Sequence, residues 1–225
     1  MTSVKIDSVS KIIRRKKVLD SVSLEINSGK VIGFKGINGS GKTMLMRIVS
    51  GLIRPTEGKV FINEKQLHKD ISFPESIGVF IENPAFLDAY SGFENLKILA
   101  SIKKTAGEDR ITEVLEQVGL GDAGKKKYRK YSLGMKQRLG IAAAVLEQPD
   151  IVILDEPTNS LDDSGVEMVK QIVLEQRDRG ALVIISCHDA EILEELSDEI
   201  YTITEGRITD HIILGEKNDE DKDKI

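Results

Sequence analysis

The glycine-rich segment at residues 36–43 constrains this chain more than any other feature. It reads Gly-Ile-Asn-Gly-Ser-Gly-Lys-Thr, follows the apolar run Lys30–Lys35, and leads into a helix-compatible stretch, Lys42–Ile53. A strand, a glycine-rich turn and a helix in this order are typical of a phosphate-binding loop, because glycines let backbone N–H groups turn toward phosphate oxygens. The motif therefore predicts a nucleotide site on an α/β fold.

The polar residues of this loop have separate predicted roles. Lys42 is expected to reach the terminal phosphates as a catalytic and binding residue, and Thr43 offers its hydroxyl to Mg²⁺. An ordinary glycine-rich turn before a helix is the alternative, but turn geometry does not demand the Gly-Lys-Thr ending. Further nucleotide contacts are predicted for Asn38, Gly39, Ser40, Gly41 and Met44.

Two carboxylates close a second apolar run. Ile151–Leu154 is continuously apolar, as in strands covered on both faces, and Asp155 and Glu156 follow it directly. Ligands of open parallel sheets collect at the carboxyl ends of strands. We expect Asp155 to hold Mg²⁺ and Glu156 to polarise the attacking water as a general base. Two solvated acids are the alternative, which the glycine loop in the same chain disfavours.

A histidine follows a third apolar run, Ala181–Ile185. His188 is placed to reach a γ-phosphate from the neighbouring strand end, although a histidine alone is more often a core or surface residue. The adjacent Cys187 suggests a Cys/His nucleophile instead, but neighbours in sequence need not face each other. We therefore keep His188 as a catalytic candidate beside the phosphates.

The rest of the chain predicts an α/β core with an inserted helical part. Val22, Leu24 and Ile26 alternate with polar residues, which predicts a strand of an N-terminal antiparallel sheet. Ser164–Arg179 has apolar residues at helical spacing between two buried strands, which is typical of a βαβ crossover in a mostly parallel sheet. Helical spacing prevails from about residue 91 to 147. The helices predicted there are Phe93–Ile102, Ile111–Val118 and Met135–Leu146.

The segment 131–138, Tyr-Ser-Leu-Gly-Met-Lys-Gln-Arg, predicts a helix N-terminus. Ser132 is a plausible N-cap, so that its hydroxyl and free backbone N–H groups point outward together. This arrangement is a candidate second anion site. A helix cap that binds no ligand is the ordinary alternative.

Taken together, these motifs resemble the nucleotide-binding subunits of ATP-binding cassette (ABC) transporters over nearly the whole chain. The glycine loop resembles the Walker A motif, Ser132–Gln137 the signature motif, and Ile151–Glu156 the Walker B motif of that family. Asn159–Asp162 is similar to its D-loop, and His188 to its switch histidine. The resemblance implies an α/β P-loop ATPase with ATP and Mg²⁺ as cofactors.

The same resemblance implies how such a subunit works with others. Two copies pair head to tail, so that Ser132 and Gly134 of one chain close over ATP held by Lys42 of the other. A homodimer with two ATP sites is therefore expected. Its closure and opening drive a separate integral membrane permease, through a groove beside Glu82.

Three positions depart from the family pattern. Glu82 follows the predicted strand Ile77–Ile81 and stands where glutamine is usual. It keeps an oxygen for Mg²⁺ but adds a third acid near Asp155 and Glu156, so that without Mg²⁺ one of the group should hold its proton more tightly. Ile13 takes the place of the aromatic residue that stacks on adenine, and Leu133 replaces a signature glycine. Glu82-Asn-Pro with Tyr-Ser-Leu-Gly-Met is similar to the bacterial bacitracin- and lantibiotic-resistance branch, which implies export of peptides or drugs.

Composition limits where the protein works. A net charge of −5 gives no general attraction to nucleic acid, and no apolar run approaches the roughly 18 residues that span a bilayer. With a single cysteine and no signal-peptide pattern, we expect a cytoplasmic protein held at the inner face of the cell membrane by its permease. We expect one nucleotide-binding domain over residues 1–215, with a helical subdomain at about 84–147 and a charged, disordered tail at 216–225.

Other classes of function remain to be compared with this one. A cassette ATPase without a permease, acting on assembly or nucleic-acid machinery, shares the same motifs. A P-loop kinase or GTPase has no use for the Ser132 signature or His188, and a nucleotide switch without turnover conflicts with an intact Glu156.

Overall fold

The computed structural model describes residues 1–82 and 85–214 of the chain. Its N-terminal part is a four-stranded antiparallel sheet in the order β2-β1-β4-β5. The strands are β1 (Ser3–Ile13), β2 (Lys16–Asn27), β4 (Glu57–Ile62) and β5 (Lys65–Gln66). The alternation at 22–26 predicted β2 correctly, because every second side chain there is buried.

A six-stranded sheet forms the centre of the molecule, in the order β10-β9-β3-β8-β7-β6. Its strands are β3 (Lys30–Lys35), β6 (Ile77–Phe80), β7 (Ile151–Asp155), β8 (Leu182–Ser186), β9 (Glu199–Thr204) and β10 (Arg207–Ile213). All neighbouring strands are parallel except the antiparallel pair β9 and β10. The predicted mostly parallel sheet is thereby confirmed.

Helices cover both faces of this sheet. Helix α1 (Lys42–Val49) packs with the antiparallel sheet on one face, whereas α5 (Asp163–Asp178) and α6 (Ala190–Leu196) pack on the other. Strand β7 contributes Ile151 and Ile153 to the first core and Val152 and Leu154 to the second. This two-sided burial explains why its sequence is continuously apolar.

The helical part comprises α2 (Gly92–Lys103), α3 (Glu108–Gln117) and α4 (Leu133–Val145), with a short 3-10 turn at Tyr128–Lys130. All three helices were predicted, within three residues at each end. Helix α2 begins with a capping box between Ser91 and Glu94, which fixes its start. The predicted start of the subdomain at residue 84 and the tail at 216–225 lie outside the described residues.

Two predicted elements end earlier than the sequence pattern suggested. Helix α1 stops at Val49 rather than Ile53, because Gly51 adopts a φ of 80° that a helix cannot continue. Strand β6 stops at Phe80 rather than Ile81. Within the described ranges, none of the helices is both long enough and apolar enough to span a bilayer.

Candidate functional site

The glycine loop lies between β3 and α1, as the sequence predicted. Gly36 has a φ of 155°, and a Cβ atom there would lie 2.3 Å from the Ile203 carbonyl oxygen, so only glycine fits at the start of the loop. Gly41 has a φ of 119° and forms the N-cap of α1 without a capping side chain. The first N–H groups of α1 are thus left to face a ligand.

Lys42 lies inside this loop and is 5% exposed. Its Nζ donates to the carbonyl oxygens of Gly36, at 2.6 Å, and Ile37, at 3.3 Å, and lies 3.8 Å from Glu156 Oε1. The ammonium group is therefore held between the loop and the acid that follows β7. This is the position from which a lysine reaches the end of a bound polyphosphate.

Thr43, Asp155 and Ser186 form a hydrogen-bonded chain across three elements. Thr43 Oγ1 donates to Asp155 Oδ2 at 2.7 Å, and Ser186 Oγ donates to Asp155 Oδ1 at 2.6 Å. Asp155 is 6% exposed and Ser186 is fully buried. Two of the three predicted metal ligands, Thr43 and Asp155, are therefore brought together. Sequence reasoning missed Ser186, whose only signal was its place at the end of an apolar run.

Glu156 is held in an unusual backbone conformation, with a φ of 52°. Its N–H donates to Ser186 Oγ at 3.0 Å, and its Oε2 is a buried atom with no hydrogen-bond partner in the described part of the chain. His188 Nε2 lies 3.5 Å from that oxygen, and the His188 side chain is about half exposed, at 48%. Glu156 is therefore within 4 Å of the other two predicted catalytic residues, His188 and Lys42.

Burial raises the pKa of Glu156 above the ordinary value of a glutamate. The charges of His188 and Lys42 act in the opposite direction, and that of Asp155 adds to the rise. The sequence predicted that one acid of a group of three would hold its proton more tightly. Glu156 is an acid of this group whose pKa is raised, but the main cause is its burial rather than a neighbouring acid.

Glu82 forms an ion pair with Arg47. Its Oε1 accepts a contact from the Arg47 guanidinium at 2.5 Å, and its side chain is 62% exposed. Among the residues described, no group of three His, Cys, Asp or Glu side chains is arranged to hold a metal ion. Glu82 does line one cavity with Asp155 and Glu156, so its role as a Mg²⁺ ligand stays a prediction.

Two cavities flank the Lys42–Glu156 pair. One, of about 230 Å³, is lined by the loop, by Val18 and by Glu156; the other, of about 490 Å³, extends from Glu82 to Leu133. The loop residues lining the first cavity are Asn38, Gly39, Gly41, Lys42, Thr43 and Met44. Ser40 is buried in the loop, with a hydroxyl that has no partner among the described residues. Sequence reasoning missed Val18.

Ile13 lies apart from these groups. It is the last residue of β1, 39% exposed beside the Arg14-Arg15 turn, and it is not one of the residues that line the 230 Å³ cavity. Cys187 Sγ lies 3.2 Å from Thr158 Oγ1. The cysteine thus has a hydroxyl partner, which gives no support to a Cys/His nucleophile.

The signature segment forms the N-terminus of α4. Ser132 Oγ accepts the Met135 N–H at 3.2 Å, which confirms the predicted N-cap, and Leu133 is 57% exposed. A Cβ atom at Gly134 would lie 3.2 Å from the Ser160 carbonyl oxygen. The small residue thus allows the helix end to approach the 159–162 loop closely. Binding of a nucleotide by Ser132 and Gly134 stays a prediction.

A parallel sheet whose first inner strand runs into a glycine loop, with a lysine, a threonine and two acids at its carboxyl edge, defines a P-loop nucleoside triphosphatase. The sequence model of the family described as ABC transporter matches residues 19–159. The chain belongs to the ABC transporter family. It is an ATPase and the ATP-binding subunit of a transporter.

Curated relatives carry the same assignment. The chain is 47% identical over 205 residues to the uncharacterized ABC transporter ATP-binding protein YybJ of Bacillus subtilis (strain 168), covering 91% of this chain and 94% of the relative. It is 38% identical to the bacitracin transport ATP-binding protein BcrA of Bacillus licheniformis, covering 94% of this chain and 70% of the relative. It is 35% identical to the lantibiotic transport ATP-binding protein SrtF of Streptococcus pyogenes (91% and 88% covered).

Solved structures show the same fold. An ATP-binding subunit of an ABC transporter superposes with a TM-score of 0.86 at 24% identity, covering 94% of this chain and 90% of that one. An ATP-binding cassette solved as a dimer in a post-hydrolysis state, with ADP and Pi, gives 0.85 at 24% identity (95% and 99% covered). The predicted fold class is thereby confirmed.

Proposed function

We propose that this chain is the ATP-hydrolysing motor of an exporter of peptide antibiotics, drugs or similar compounds. The observation that carries the motor function is the meeting of Lys42, Thr43, Asp155 and Glu156 at one edge of the sheet. Export is supported by the two relatives that are named for bacitracin and lantibiotic transport. On this proposal the protein works in the cytoplasm, at the inner face of the cell membrane.

The oxygen donors beside the loop fit Mg²⁺. Thr43 Oγ1 and Asp155 Oδ2 lie 2.7 Å apart, and hydroxyl and carboxylate oxygens are the ligands that this hard cation prefers. Thr43 and Asp155 would hold the ion, with Glu82 as a third donor once it leaves Arg47. When bound, Mg²⁺ neutralises charge that develops on the β- and γ-phosphates.

The chain's own residues supply the rest of the reaction. Lys42 binds the terminal phosphates, and the N–H groups at the start of α1 orient them. Glu156 Oε2, which has no hydrogen-bond partner in the described residues, accepts a hydrogen bond from the attacking water and polarises it. His188, 3.5 Å from that oxygen, contacts the γ-phosphate from the other side.

The signature end of α4 would complete the site of a second copy. Ser132 is exposed at the helix N-terminus, where backbone N–H groups favour an anion. We therefore propose a homodimer in which Ser132 and Gly134 close over the ATP held by the partner's loop. One structural neighbour is a dimer in a post-hydrolysis state with ADP and Pi, which supports this arrangement.

An apolar surface on the helical part suits a membrane permease. Ile98, Leu99 and Ile102 of α2 are exposed, Ile102 by 75%, and Leu87 near the start of α2 is 51% exposed. Phe73 is 55% exposed and lies close in sequence to Glu75, whose carbonyl accepts a hydrogen bond from Lys103 of α2. Exposed apolar residues at this density are typical of a protein interface. Leu87 and the exposed residues of α2 lie on the segment that follows Glu82, whereas Phe73 precedes it.

The test is copurification from membranes. Tagged wild-type chain should bring down a multi-span membrane protein, and Leu99→Asp with Ile102→Asp should lose that protein while keeping ATP binding. Ile12→Asp with Ile213→Asp, at exposed positions elsewhere, is the matched control. A wild-type chain that stays a lone dimer under all conditions would favour the cassette ATPase without a permease.

A further inference from the structure

Gln137 is a buried polar side chain in the middle of a helical face. It belongs to α4, is 6% exposed, and its Nε2 donates to the carbonyl oxygens of Glu156, at 3.2 Å, and Pro157, at 3.3 Å. A buried amide is tolerated only where it finds such partners. The contact therefore joins the signature helix to the turn that carries the general base.

Gln137 donates to a residue whose backbone conformation is strained. Glu156 adopts a φ of 52°, in the left-handed region that residues with a side chain rarely occupy. Strained residues persist only when their surroundings fix them. The Glu156 N–H donates to Ser186 Oγ of β8, at 3.0 Å. Gln137 donates to the carbonyl oxygen of Glu156. The Asn159 N–H also donates to that carbonyl, at 3.3 Å.

These contacts hold Glu156 from two sides, one in the central sheet and one on α4. Ser186 lies in the central sheet, where it pairs with Asp155 across β7 and β8 and donates a hydrogen bond to the Asp155 carboxylate. Gln137 lies five residues after Ser132 on one continuous helix, and Ser132 is at its exposed N-terminus. A displacement of that helix end therefore moves the amide that holds the Glu156 carbonyl.

We propose that Gln137 is a positioning residue that transmits the state of the signature end of α4 to the general base of the same chain. This inference rests on the proposed function, because it takes Glu156 as the base and Ser132 as a contact to the partner's ATP. One protomer would then connect the two ATP sites of the dimer: its helix end senses the partner's nucleotide, and its Glu156 acts on its own.

Gln137→Met tests this, because methionine keeps the length of the side chain and removes the donor. We expect kcat to fall about tenfold, as for a base displaced by a fraction of an ångström. The Kd for ATP should change by less than about twofold, because the loop contacts are untouched. The Hill coefficient for ATP should fall toward one, which a merely structural role would not cause.

Gln176→Met is the matched control. Gln176 is also a buried helical glutamine, 4% exposed, and its Oε1 accepts a hydrogen bond from Arg179 Nε at 2.8 Å, on α5 away from the loop. Both variants should lose thermal stability, but only Gln137→Met should lose kcat and cooperativity. If Gln137→Met does not fold, Gln137→Glu, which has the same size and no amide donor, should give the same losses.

The failures are distinguishable. A wild-type chain without ATPase activity would contradict the proposed function, whereas a cooperative wild-type ATPase with an unchanged Gln137→Met would overturn this inference alone. Equal losses of kcat in Gln137→Met and Gln176→Met, in proportion to their loss of stability, would also overturn it.

Discussion

The phosphate side and the base side of the nucleotide site are built very differently. The phosphate side, formed by Lys42, Thr43, Asp155 and Glu156, is mostly buried and cross-linked by hydrogen bonds between three elements of the central sheet region. The predicted base side is the end of β1, where Ile13 is 39% exposed and does not line the cavity beside the loop. The residues predicted to bind phosphate are thus held by the central sheet, whereas the residue predicted to contact the base lies beside an exposed turn.

This difference determines which part of a nucleotide each side can distinguish. Phosphates are bound by oriented N–H groups and charges, which a buried framework holds in place. An aliphatic side chain at the edge offers apolar contact to any base, without the stacking that an aromatic ring supplies. We therefore expect strong dependence on the triphosphate and weak discrimination between ATP and GTP.

Lys42→Ala should give the largest effect. Removing the only charged group held inside the loop should weaken ATP binding by about a hundredfold or more, beyond detection in a fluorescent-nucleotide titration. Lys35→Ala is the control, since Lys35 pairs with Glu194 at the surface. If Lys42→Ala still bound ATP tightly, the phosphate side would not be the main source of affinity for ATP.

Glu156→Gln should separate binding from turnover. The amide keeps the shape of the side chain but cannot act as a base, so we expect steady-state hydrolysis to fall about a hundredfold or more while ATP binding persists. An ATP-dependent dimer should accumulate and be visible by gel filtration. Undiminished hydrolysis in this variant would contradict the general-base role.

Glu82→Gln should change the Mg²⁺ dependence more than the nucleotide affinity. The Mg²⁺ concentration for half-maximal nucleotide binding should shift by a few-fold, because an amide is a weaker ligand than a carboxylate. Arg47→Gln should shift it the other way, by freeing the carboxylate that Arg47 now holds. Identical Mg²⁺ titrations for all three proteins would place Glu82 away from the metal.

Ile13→Tyr should increase the affinity for ATP by adding a ring that can stack on the base. A stacked ring contributes about 0.5–1.5 kcal/mol beyond burial, so ATP binding should tighten by about two- to tenfold. Ile12→Tyr, at the neighbouring and similarly exposed position, is the matched control. A strong preference of the wild-type chain for ATP over GTP in direct binding would contradict weak discrimination by Ile13.

The smallest expected effect is on stability. Burial raises the pKa of folded Glu156 above its unfolded value, so its ionised form costs stability above the folded pKa, and this cost disappears below the unfolded pKa. Glu156→Gln without nucleotide should therefore melt a few degrees higher at neutral pH. The difference should vanish in acid. A constant difference across the pH range would mean that the pKa is not raised.

Site residues that are close together in the sequence could be predicted from it, whereas contacts between residues far apart in the sequence could not. The loop residues and the pair Asp155-Glu156 were found because phosphate and metal chemistry needs those residue types at fixed local spacing. Ser186 was missed because it lies 31 residues from Asp155, and only the pairing of β7 with β8 brings them together. The early end of α1 depended on the backbone angle of Gly51.

Glu82 shows the limit most clearly. The sequence predicts it as a Mg²⁺ ligand because it stands where the family has glutamine, and only the structure shows its ion pair with Arg47 on α1. A side chain at a sheet edge can turn to any opposite charge within reach, and which charges are in reach is decided by packing.

By itself, the sequence determined the class of protein, the loop that binds phosphate and the acids that follow β7. Those features are local, because adjacent backbone and side-chain groups must converge on one ligand. Only the tertiary structure decided that Gln137 holds the backbone of Glu156, that Ser186 joins Asp155 to Glu156, and that Ile13 lies apart. These depend on strand order and helix packing, which bring distant parts of the chain into contact.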